Sequence, residues 1–585
     1  MSRSRIGALL AVLALLVSAC AQGAATQSPA AATSAAASEP ASEPASEPAS
    51  EPASEPASEP AASETTGAGT PGGTLVVALP GDIDNLDPAL ISDSNSSYVM
   101  NQVMESLVQL APGSVSEIEP VLAESYEVSD DGLTYTFKIR EGITFHDGTE
   151  FNAEAVKFNY DRWLNFPEEL QAFAYYAGAV FEGFGDGSNI ASTEAPDATT
   201  FIVNLKEPRS NFLIAQTLAP FQISSPAALE AGDADNPDPT KSTYAQSEGM
   251  VGTGPFKLKE WVRGDHVTIE NNREYSGAQQ PALLDEIVFR PFADQTAEFN
   301  AIEAGEVDLA QTIAPIDAES IAGNPELQVI DRGESCNMGH LALNQQYEPV
   351  NNLKIRQAMA FALNKQSYIE TFYAGQAVPA DNWMPPSAQF YKPLGLPTYD
   401  PTRAEELIAE AKAEGVTDLE IDFWYPSDVA RPYMPDPKGL FEAIQSDLEA
   451  VGFTINPNTA TWSPDYLDAE SVGEYEAWLI GWTCDWASAD NFLSTAFFGY
   501  RDGEPNPEYA YDSDELDQTM GQALSSTDEA EIEELWGKAQ DIVGADLPTI
   551  PLVHSTPPAA ASAKVKGVTG SGALNEYFNT VYIEE

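Results

Sequence analysis

The chain has 585 residues, and 91 acidic against 27 basic side chains give it a formal net charge of −64 at pH 7. Because single hydrophobic cores stop growing at roughly 250 to 300 residues, this length predicts several domains or one large unit with several lobes. The charge excludes nucleic acid as a natural partner, because the phosphate groups would be repelled. It favours solubility outside the cell and would attract cationic solutes.

The first residues have the pattern of an export signal. A basic start precedes an apolar run from Ile6 to Val17, and small residues lead to Cys20. The run is too short to span a hydrocarbon core, which needs roughly 20 apolar residues. The residues before Cys20 resemble a lipobox, so we expect residues 1–20 to be a lipoprotein signal peptide and Cys20 to carry the lipid, the sole membrane anchor. Ordinary secretory cleavage, with Cys20 lost or left free, is the alternative.

The next segment, residues 21–71, is predicted to be a disordered linker. It consists largely of Ala, Ser, Thr, Pro and Glu, with six tandem Ser-Glu-Pro-Ala units that start at Ser38. Such a composition cannot bury a core, and proline at every fourth position favours extended polyproline II. We expect a stalk that holds the folded part away from the envelope.

The ordered part is predicted to alternate strands and helices. A glycine pair precedes a β-branched strand at 74–78, and 134–139 alternates like a second strand. The pattern predicts helices over 152–165, with Asn152 as N-cap, and over 401–414, with proline at the first helical position. This mixture predicts an α/β protein of closely packed lobes.

Several segments resemble one protein family. They read TLVVALPGDIDNLDP at 74–88, LAESYEVSDDGLTYTFKIREGITFHDG at 122–148, VGTGPF at 251–256, LNQQYEPVNNLKIRQAMAFAL at 343–363 and GWTCDWASADNFL at 481–493. All are similar to family 5 extracellular solute-binding proteins, the peptide and nickel receptor class. The matches occur in the same order from the first strand to the end of the chain.

This resemblance implies a large, class II periplasmic-binding-protein-like fold, with two α/β lobes around a cleft and an extra domain. Domain I would comprise 72–110, 223–334 and 549–585. The small family-specific domain II would comprise 111–222, and domain III 335–548.

Asp485 is the strongest candidate for ligand binding. It aligns with the family motif Trp-x-x-Asp, whose carboxylate in peptide receptors pairs with the α-ammonium of the peptide. In a largely dry cleft such a charge-assisted bond is about twice as strong as a neutral one. The alternative is a structural or surface aspartate, and the proline that often follows in the family is missing here.

Further candidates are aromatic residues and a polar loop. Trp482 and Trp486 flank Asp485, and the resemblance also places Trp462 in the cleft. Aromatic walls suit variable side chains because they supply apolar area without a fixed hydrogen-bond pattern; plain core packing is the alternative. Ser94 and Asn95 belong to a predicted loop over 92–97 that corresponds to a cleft-lining loop of the family.

The resemblance also implies a disulfide between Cys336 and Cys484, although Cys484 is displaced by one residue from the family pattern. Two buried thiols are the alternative. A metal site with Cys336 and His340 lacks a supporting ligand cluster, so no metal is expected.

No catalytic residue is predicted. The four histidines are scattered, and the chain has no G-x-S-x-G, H-E-x-x-H or P-loop sequence. We therefore expect no enzymatic activity and no cofactor, and the ATPase of the transporter must be another subunit.

The leading hypothesis is a monomeric, extracytoplasmic, lipid-anchored receptor of an ABC importer that captures di- or oligopeptides and delivers them to a permease and ATPase. A second hypothesis keeps this role but replaces the peptide by an opine, a glycoside or a metal chelate. A third is a surface lipoprotein that acts as a sensor or adhesin.

Overall fold

The computed structural model of the chain describes residues 72–501 and 503–584. The predicted signal peptide with Cys20 and the predicted linker lie outside these residues. Within them, no helix is both long and apolar enough to cross a membrane. The described residues belong to one compact unit.

Three sheets organise this unit. The first has seven strands, which in sheet order are Leu327–Ile330, Ala559–Ser562, Leu309–Ala310, Thr74–Leu79, Glu286–Pro291, His266–Asn271 and Phe256–Val262. The second has six strands, in the order Ala377–Pro379, Ile550–Ser555, Asn337–Leu343, Ala477–Thr483, Glu420–Pro426 and Thr454–Ala460. The third is antiparallel, in the order Ala123–Val128, Thr134–Ile139, Thr200–Leu205 and Ile190–Asp197.

Two small ladders complete the sheet structure: Val108–Leu110 pairs with Ile118–Pro120, and Val565–Lys566 pairs with Tyr582–Ile583. The α-helices are Ser94–Val103, Ala153–Leu164, Glu168–Gln171, Tyr175–Val180, Phe212–Ala215, Pro226–Ala231, Gln295–Glu303, Ala318–Gly323, Leu353–Ala362, Lys365–Phe372, Pro401–Ala413, Pro437–Ala450, Leu467–Ser471, Asp514–Ser525 and Glu529–Asp546. The predicted α/β class is confirmed, and the division into domains I, II and III stays a prediction.

Both helices predicted from capping signals are present. Asn152 accepts a hydrogen bond from the amide of Ala155 at 3.1 Å, and the helix ends at Leu164. Asp400 accepts one from the amide of Arg403 at 3.0 Å, with Pro401 as the first helical residue. These side chains satisfy amide groups that the first helical turn leaves without partners.

Two chain crossovers connect the seven-stranded sheet to the six-stranded sheet. Residues 331–336 join strand Leu327–Ile330 to strand Asn337–Leu343, and residues 556–558 join strand Ile550–Ser555 to strand Ala559–Ser562. The strands that they join are neighbours in both sheets. The crossovers therefore run side by side, and a relative motion of the two sheets must bend both.

A disulfide lies at the end of the first crossover. It joins Cys336 to Cys484, whose Cα atoms are 5.5 Å apart, and the amide of Cys484 donates to the carbonyl of Cys336 at 2.7 Å. The residues that follow Cys336 and precede Cys484 pair as antiparallel strands, with Asn337 opposite Thr483. The bond thus fixes the end of a strand pair beside the candidate aspartate.

Removing this bond is expected to destabilise the fold. Replacing both cysteines by serine should lower the free energy of unfolding by roughly 2 kcal/mol, because the unfolded chain regains the freedom of a long loop. Denaturant unfolding of the double variant measures the change. An equal effect of reductant on the wild type is expected, and no effect of reductant on the variant; an unchanged midpoint in both would contradict the pairing.

Candidate ligand-binding site

The candidate residues of the six-stranded sheet follow parallel strands. Strand Glu420–Pro426 runs parallel to both Thr454–Ala460 and Ala477–Thr483, so the carboxyl ends of the three strands meet at one edge. The segments that leave this edge carry Arg431, Trp462 and Asp485. Open α/β sheets bind their ligands outside the carboxyl ends of parallel strands.

The seven-stranded sheet contributes Ser94 and Asn95 in the same way. The strand Thr74–Leu79 is parallel to both of its neighbours, and the chain that leaves it reaches Asp93. The prediction of a loop over 92–97 is wrong from Ser94 onward, because Asp93 accepts a hydrogen bond from the amide of Ser96 at 2.8 Å and caps a helix. In the first turn of this helix Ser94 is exposed and Asn95 is half-buried.

Asp485 is a half-buried carboxylate held by two neutral side chains. The hydroxyl of Tyr176 donates to Oδ1 at 2.6 Å, and the Asn491 amide donates to Oδ2 at 3.0 Å. The Asp485 backbone amide donates in turn to Oδ1 of Asn491 at 3.1 Å. No basic side chain forms a salt bridge with this carboxylate in the part of the chain that the structure describes. Its geometry is fixed while its charge has no cationic partner there.

Burial raises the pKa of Asp485, and nearby Asp490 raises it further. The hydrogen bonds from Tyr176 and Asn491 lower it in part. A cation next to Asp485 would relieve the cost of burying its charge, because an opposite charge favours the ionised form.

The two tryptophans that flank Asp485 have different surroundings. Trp482 is half-buried, and its Nε1 donates to Oδ1 of Asn491 at 2.9 Å. Trp486 is only 4% exposed; it packs against Ile214 and Ala215, and its Nε1 donates to Asp490 at 2.9 Å. Trp482 is therefore the tryptophan of this pair whose ring is partly accessible, whereas Trp486 is buried against the helix Phe212–Ala215.

Trp462 lies beside a residue that sequence reasoning missed. The guanidinium of Arg431 sits 4.6 Å from the centre of the Trp462 ring, and Tyr466 stacks with the same ring at 5.8 Å. Arg431 is half-buried and forms no salt bridge within the described residues. Its position just after a parallel strand is the signal that could have identified it.

Tyr176 lies on the helix Tyr175–Val180, and its hydroxyl is hydrogen-bonded to Asp485. Burial raises the pKa of its hydroxyl well above the ordinary value, and the charges of Asp485 and Asp93 raise it further. Both carboxylates therefore lie within electrostatic reach of one hydroxyl. The structure brings together Asp485, Trp482 and Trp486, pairs Trp462 with Arg431, and places Ser94 and Asn95 on the helix that Asp93 caps.

Two cavities of the structure lie elsewhere. One, of about 220 Å³, lies among residues 109–119, 279–280 and 569–580, and the other, of about 370 Å³, is an open groove among residues 124–143 and 276–278. Neither is lined by a candidate residue.

The described residues offer no cluster of three or more His, Cys, Asp or Glu side chains that could hold a metal. His340 is buried, its Nδ1 is 2.9 Å from the hydroxyl of Thr549, and burial lowers its pKa to about 3. Cys336 is bonded to Cys484. Cys336 and His340, the two residues of the metal site considered from the sequence, are thus engaged in other contacts.

The chain is similar to several known proteins. The family model described as bacterial extracellular solute-binding proteins, family 5 Middle, matches residues 117–504. The heme-binding protein A of Haemophilus influenzae is 31% identical over 496 residues, covering 83% of this chain and 87% of that protein. The glutathione-binding protein GsiB of Escherichia coli K12 is 32% identical over 510 residues, covering 85% and 91%.

Among solved structures, the periplasmic binding protein DppA of Helicobacter pylori, in complex with the peptide STSA, superposes with a TM-score of 0.71. It is 30% identical, and the match covers 88% of this chain and 99% of DppA. The periplasmic-binding-protein-like fold is therefore confirmed. Proteins of this kind are extracytoplasmic transport receptors that work with an ABC permease and are not enzymes. The chain belongs to family 5 of the bacterial extracellular solute-binding proteins and is the substrate-binding protein of an ABC importer.

Proposed function

We propose that this receptor captures short peptides, with the α-ammonium of the peptide bound by Asp485, and delivers them to the permease. The observation that carries the proposal is the carboxylate of Asp485, which two neutral donors hold and no cation neutralises among the described residues. An ammonium that arrives between aromatic rings would form a charge-assisted hydrogen bond in a site with little competing water.

Arg431 supplies the opposite charge. It stands over Trp462, on a loop that leaves the same edge of the sheet as the Asp485 loop. A planar guanidinium is suited to bind a carboxylate with two parallel hydrogen bonds. A zwitterionic ligand could therefore place its amino end at Asp485 and a carboxylate at Arg431, with Trp462 and Trp482 as apolar walls.

The ligands named for the similar proteins match a zwitterionic ligand only in part. Glutathione has one free amino group and two carboxylates, and the peptide STSA has one free amino group and one carboxylate, as their chemistry requires. Heme, named for the Haemophilus protein, carries carboxylates but no amine. A ligand that uses Arg431 without Asp485 is accordingly the second candidate. It is favoured by the Arg431 guanidinium, which forms no salt bridge with any described residue.

The experiment is native mass spectrometry of the purified protein, followed by identification of the ligand that copurifies and calorimetric titration with it. For a peptide, replacing Asp485 by Asn should weaken binding by about 30-fold or more, since loss of one partner of a buried charge pair costs at least about 2 kcal/mol. The matched control is Glu533→Gln, which removes one negative charge from an exposed position of the helix Glu529–Asp546.

Each result identifies one candidate. A copurified peptide whose binding is lost in the Asp485 variant and kept in the control supports the amine site. A ligand without an amine, or binding that is indifferent to Asp485 and sensitive to Arg431→Met, rejects the peptide and supports the second candidate.

The affinity for an amine-bearing ligand should also depend on pH. Because burial raises the pKa of Asp485 in the free receptor, and a bound ammonium would lower it, binding should be strongest above that raised pKa and weaken as the pH falls through it. Titrations from neutral pH downward measure this. The weakening should begin at a higher pH than the ordinary aspartate value of 3.8 implies, and it should disappear in Asp485→Asn.

We also propose that Cys20 carries the lipid anchor and that the receptor acts as a monomer beside the permease and its ATPase. The short apolar run from Ile6 to Val17 and the small residues that precede Cys20 support the anchor. Labelling of cells with a radioactive fatty acid should mark the wild type and not Cys20→Ala. Equal release of both proteins into the medium would reject the anchor.

A further inference from the structure

The contact between the two crossovers includes a buried ion pair. Arg332, in the first crossover, binds the Glu576 carboxylate through Nε at 2.6 Å and Nη2 at 3.3 Å. Its Nη1 donates to the carbonyl of Pro557, in the second crossover, at 3.0 Å. Arg332 is 1% exposed and Glu576 is 2% exposed. The segment that carries Glu576 is therefore held firmly against both crossovers.

The cavity of about 220 Å³ opens beside this segment. It is bounded by residues 569–580, by the small hairpin of 108–120 and by Gln279 and Gln280. A single water needs only roughly 10–15 Å³ of such space. The cavity is large enough for a molecule of monosaccharide size.

A directed chain of side-chain amides lines the cavity. Gln109 donates to Glu119 at 2.7 Å, Gln279 donates to Gln109 at 2.9 Å, and the side-chain amide of Asn579 donates to Oε1 of Gln279 at 3.5 Å. A carboxylate accepts hydrogen bonds and donates none, so Glu119 fixes the direction of the whole chain. Each amide keeps a second N–H or a second lone pair, and the side chains hold these groups in fixed positions.

The charge of the lining disfavours an anionic ligand. Arg332 neutralises Glu576, whereas Glu119 accepts a hydrogen bond from Gln109, whose amide carries no charge. The other lining residues are amides, threonines, Pro112, Gly113 and one tyrosine, Tyr577. Neutral donors and acceptors in fixed positions beside an aromatic residue match the alternating hydroxyl groups and apolar faces of a polyol. Two carboxylates in the lining disfavour an anion.

We propose that this cavity is a second binding site, which takes a neutral polyhydroxylated molecule of monosaccharide size. It shares no residue with the Asp485 site. Its ligand would bind the segment that holds the two crossovers together, on the side where that segment meets the small hairpin.

The test is calorimetric titration of the full-length protein with two probes of similar size: D-glucose, which is neutral, and gluconate, which is an anion. Glucose should bind with a dissociation constant on the order of 1 mM, and gluconate should bind more weakly. Gln279→Ala should weaken glucose binding by about fivefold, because it removes a neutral hydrogen bond and breaks the chain of amides. Asn575→Ala provides a second lining variant.

Two control variants locate the bound sugar. Gln366→Ala removes an exposed glutamine from the helix Lys365–Phe372, and Asp485→Asn alters the candidate peptide site; both should leave glucose binding unchanged. Absence of glucose binding, equal binding of gluconate, or indifference to both lining variants would overturn the proposal. Loss of glucose binding in Asp485→Asn would place the sugar in the other site and would overturn it as well.

Discussion

Replacing Arg332 by methionine is expected to lower the free energy of unfolding by about 3–5 kcal/mol, because the change leaves the Glu576 carboxylate buried without its cation. Glu576 is 2% exposed, and the hydroxyl of Tyr98 lies close to both charges. The change also leaves the carbonyl of Pro557 without its donor.

Chemical denaturation followed by tryptophan fluorescence measures this effect. The matched control is Arg273→Met, because Arg273 pairs with Asp285 at the surface, where both side chains are more than half exposed. Surface pairs contribute little, so this control should leave the denaturation midpoint nearly unchanged. The double variant Arg332→Met, Glu576→Gln should recover part of the loss, since it removes the uncompensated charge. Equal midpoints for Arg332→Met and Arg273→Met would show that the buried pair does not stabilise the fold.

Local signals predicted the elements that depend on neighbouring residues. The caps at Asn152 and Asp400 act on amides three positions away, and both helices begin where these residues predict. The prediction of a loop over 92–97 came from the family resemblance, and it was wrong from Ser94 onward. Asp93 was itself a capping signal, and it starts the helix at Ser94.

The partners of the candidate site depend on contacts far apart in the sequence. Tyr176 and Asp485 are 309 positions apart, and no periodicity or cap connects them. Asp485 was predicted through a family motif, whereas Tyr176 was missed because its contact with Asp485 depends on the tertiary fold. Arg431 was missed although its position just after a parallel strand could have indicated it. The pairing of Cys336 with Cys484 likewise came from resemblance, since two cysteines 148 positions apart do not specify a bond by themselves.

Glu298 gives the second prediction with a large effect, because its carboxyl group is buried without a compensating partner. Glu298 is 0% exposed, and neither carboxyl oxygen has a hydrogen-bond partner in the described structure. Burial raises the pKa of Glu298 from 4.5 to about 8, although the nearby amide of Thr312 lowers it in part. The folded protein thus holds this carboxyl group in its neutral form at pH 7.

The sign of the resulting pH dependence follows from proton linkage. The folded pKa lies above the unfolded value, so the folded state binds this proton more tightly than the unfolded state. The contribution to stability is fully present below pH 4.5 and is lost progressively as the pH rises to about 8. One unit of pKa difference corresponds to about 1.4 kcal/mol, so the loss between pH 4.5 and 7 is on the order of 3 kcal/mol.

Denaturation of the wild type and of Glu298→Gln between pH 4.5 and 8 measures this contribution. The glutamine side chain is nearly isosteric and does not ionise, so the stability of the variant relative to the wild type should rise steadily with pH across this window. The control Glu303→Gln changes an exposed glutamate on the same helix, Gln295–Glu303, and its difference from the wild type should stay constant. If the Glu298 difference also stays constant, the carboxyl group is ionised in the folded protein and water or a cation must reach it. The rising difference is expected because burial dominates the pKa of Glu298 and because Arg332, the cation that acts on it, is already bound to Glu576.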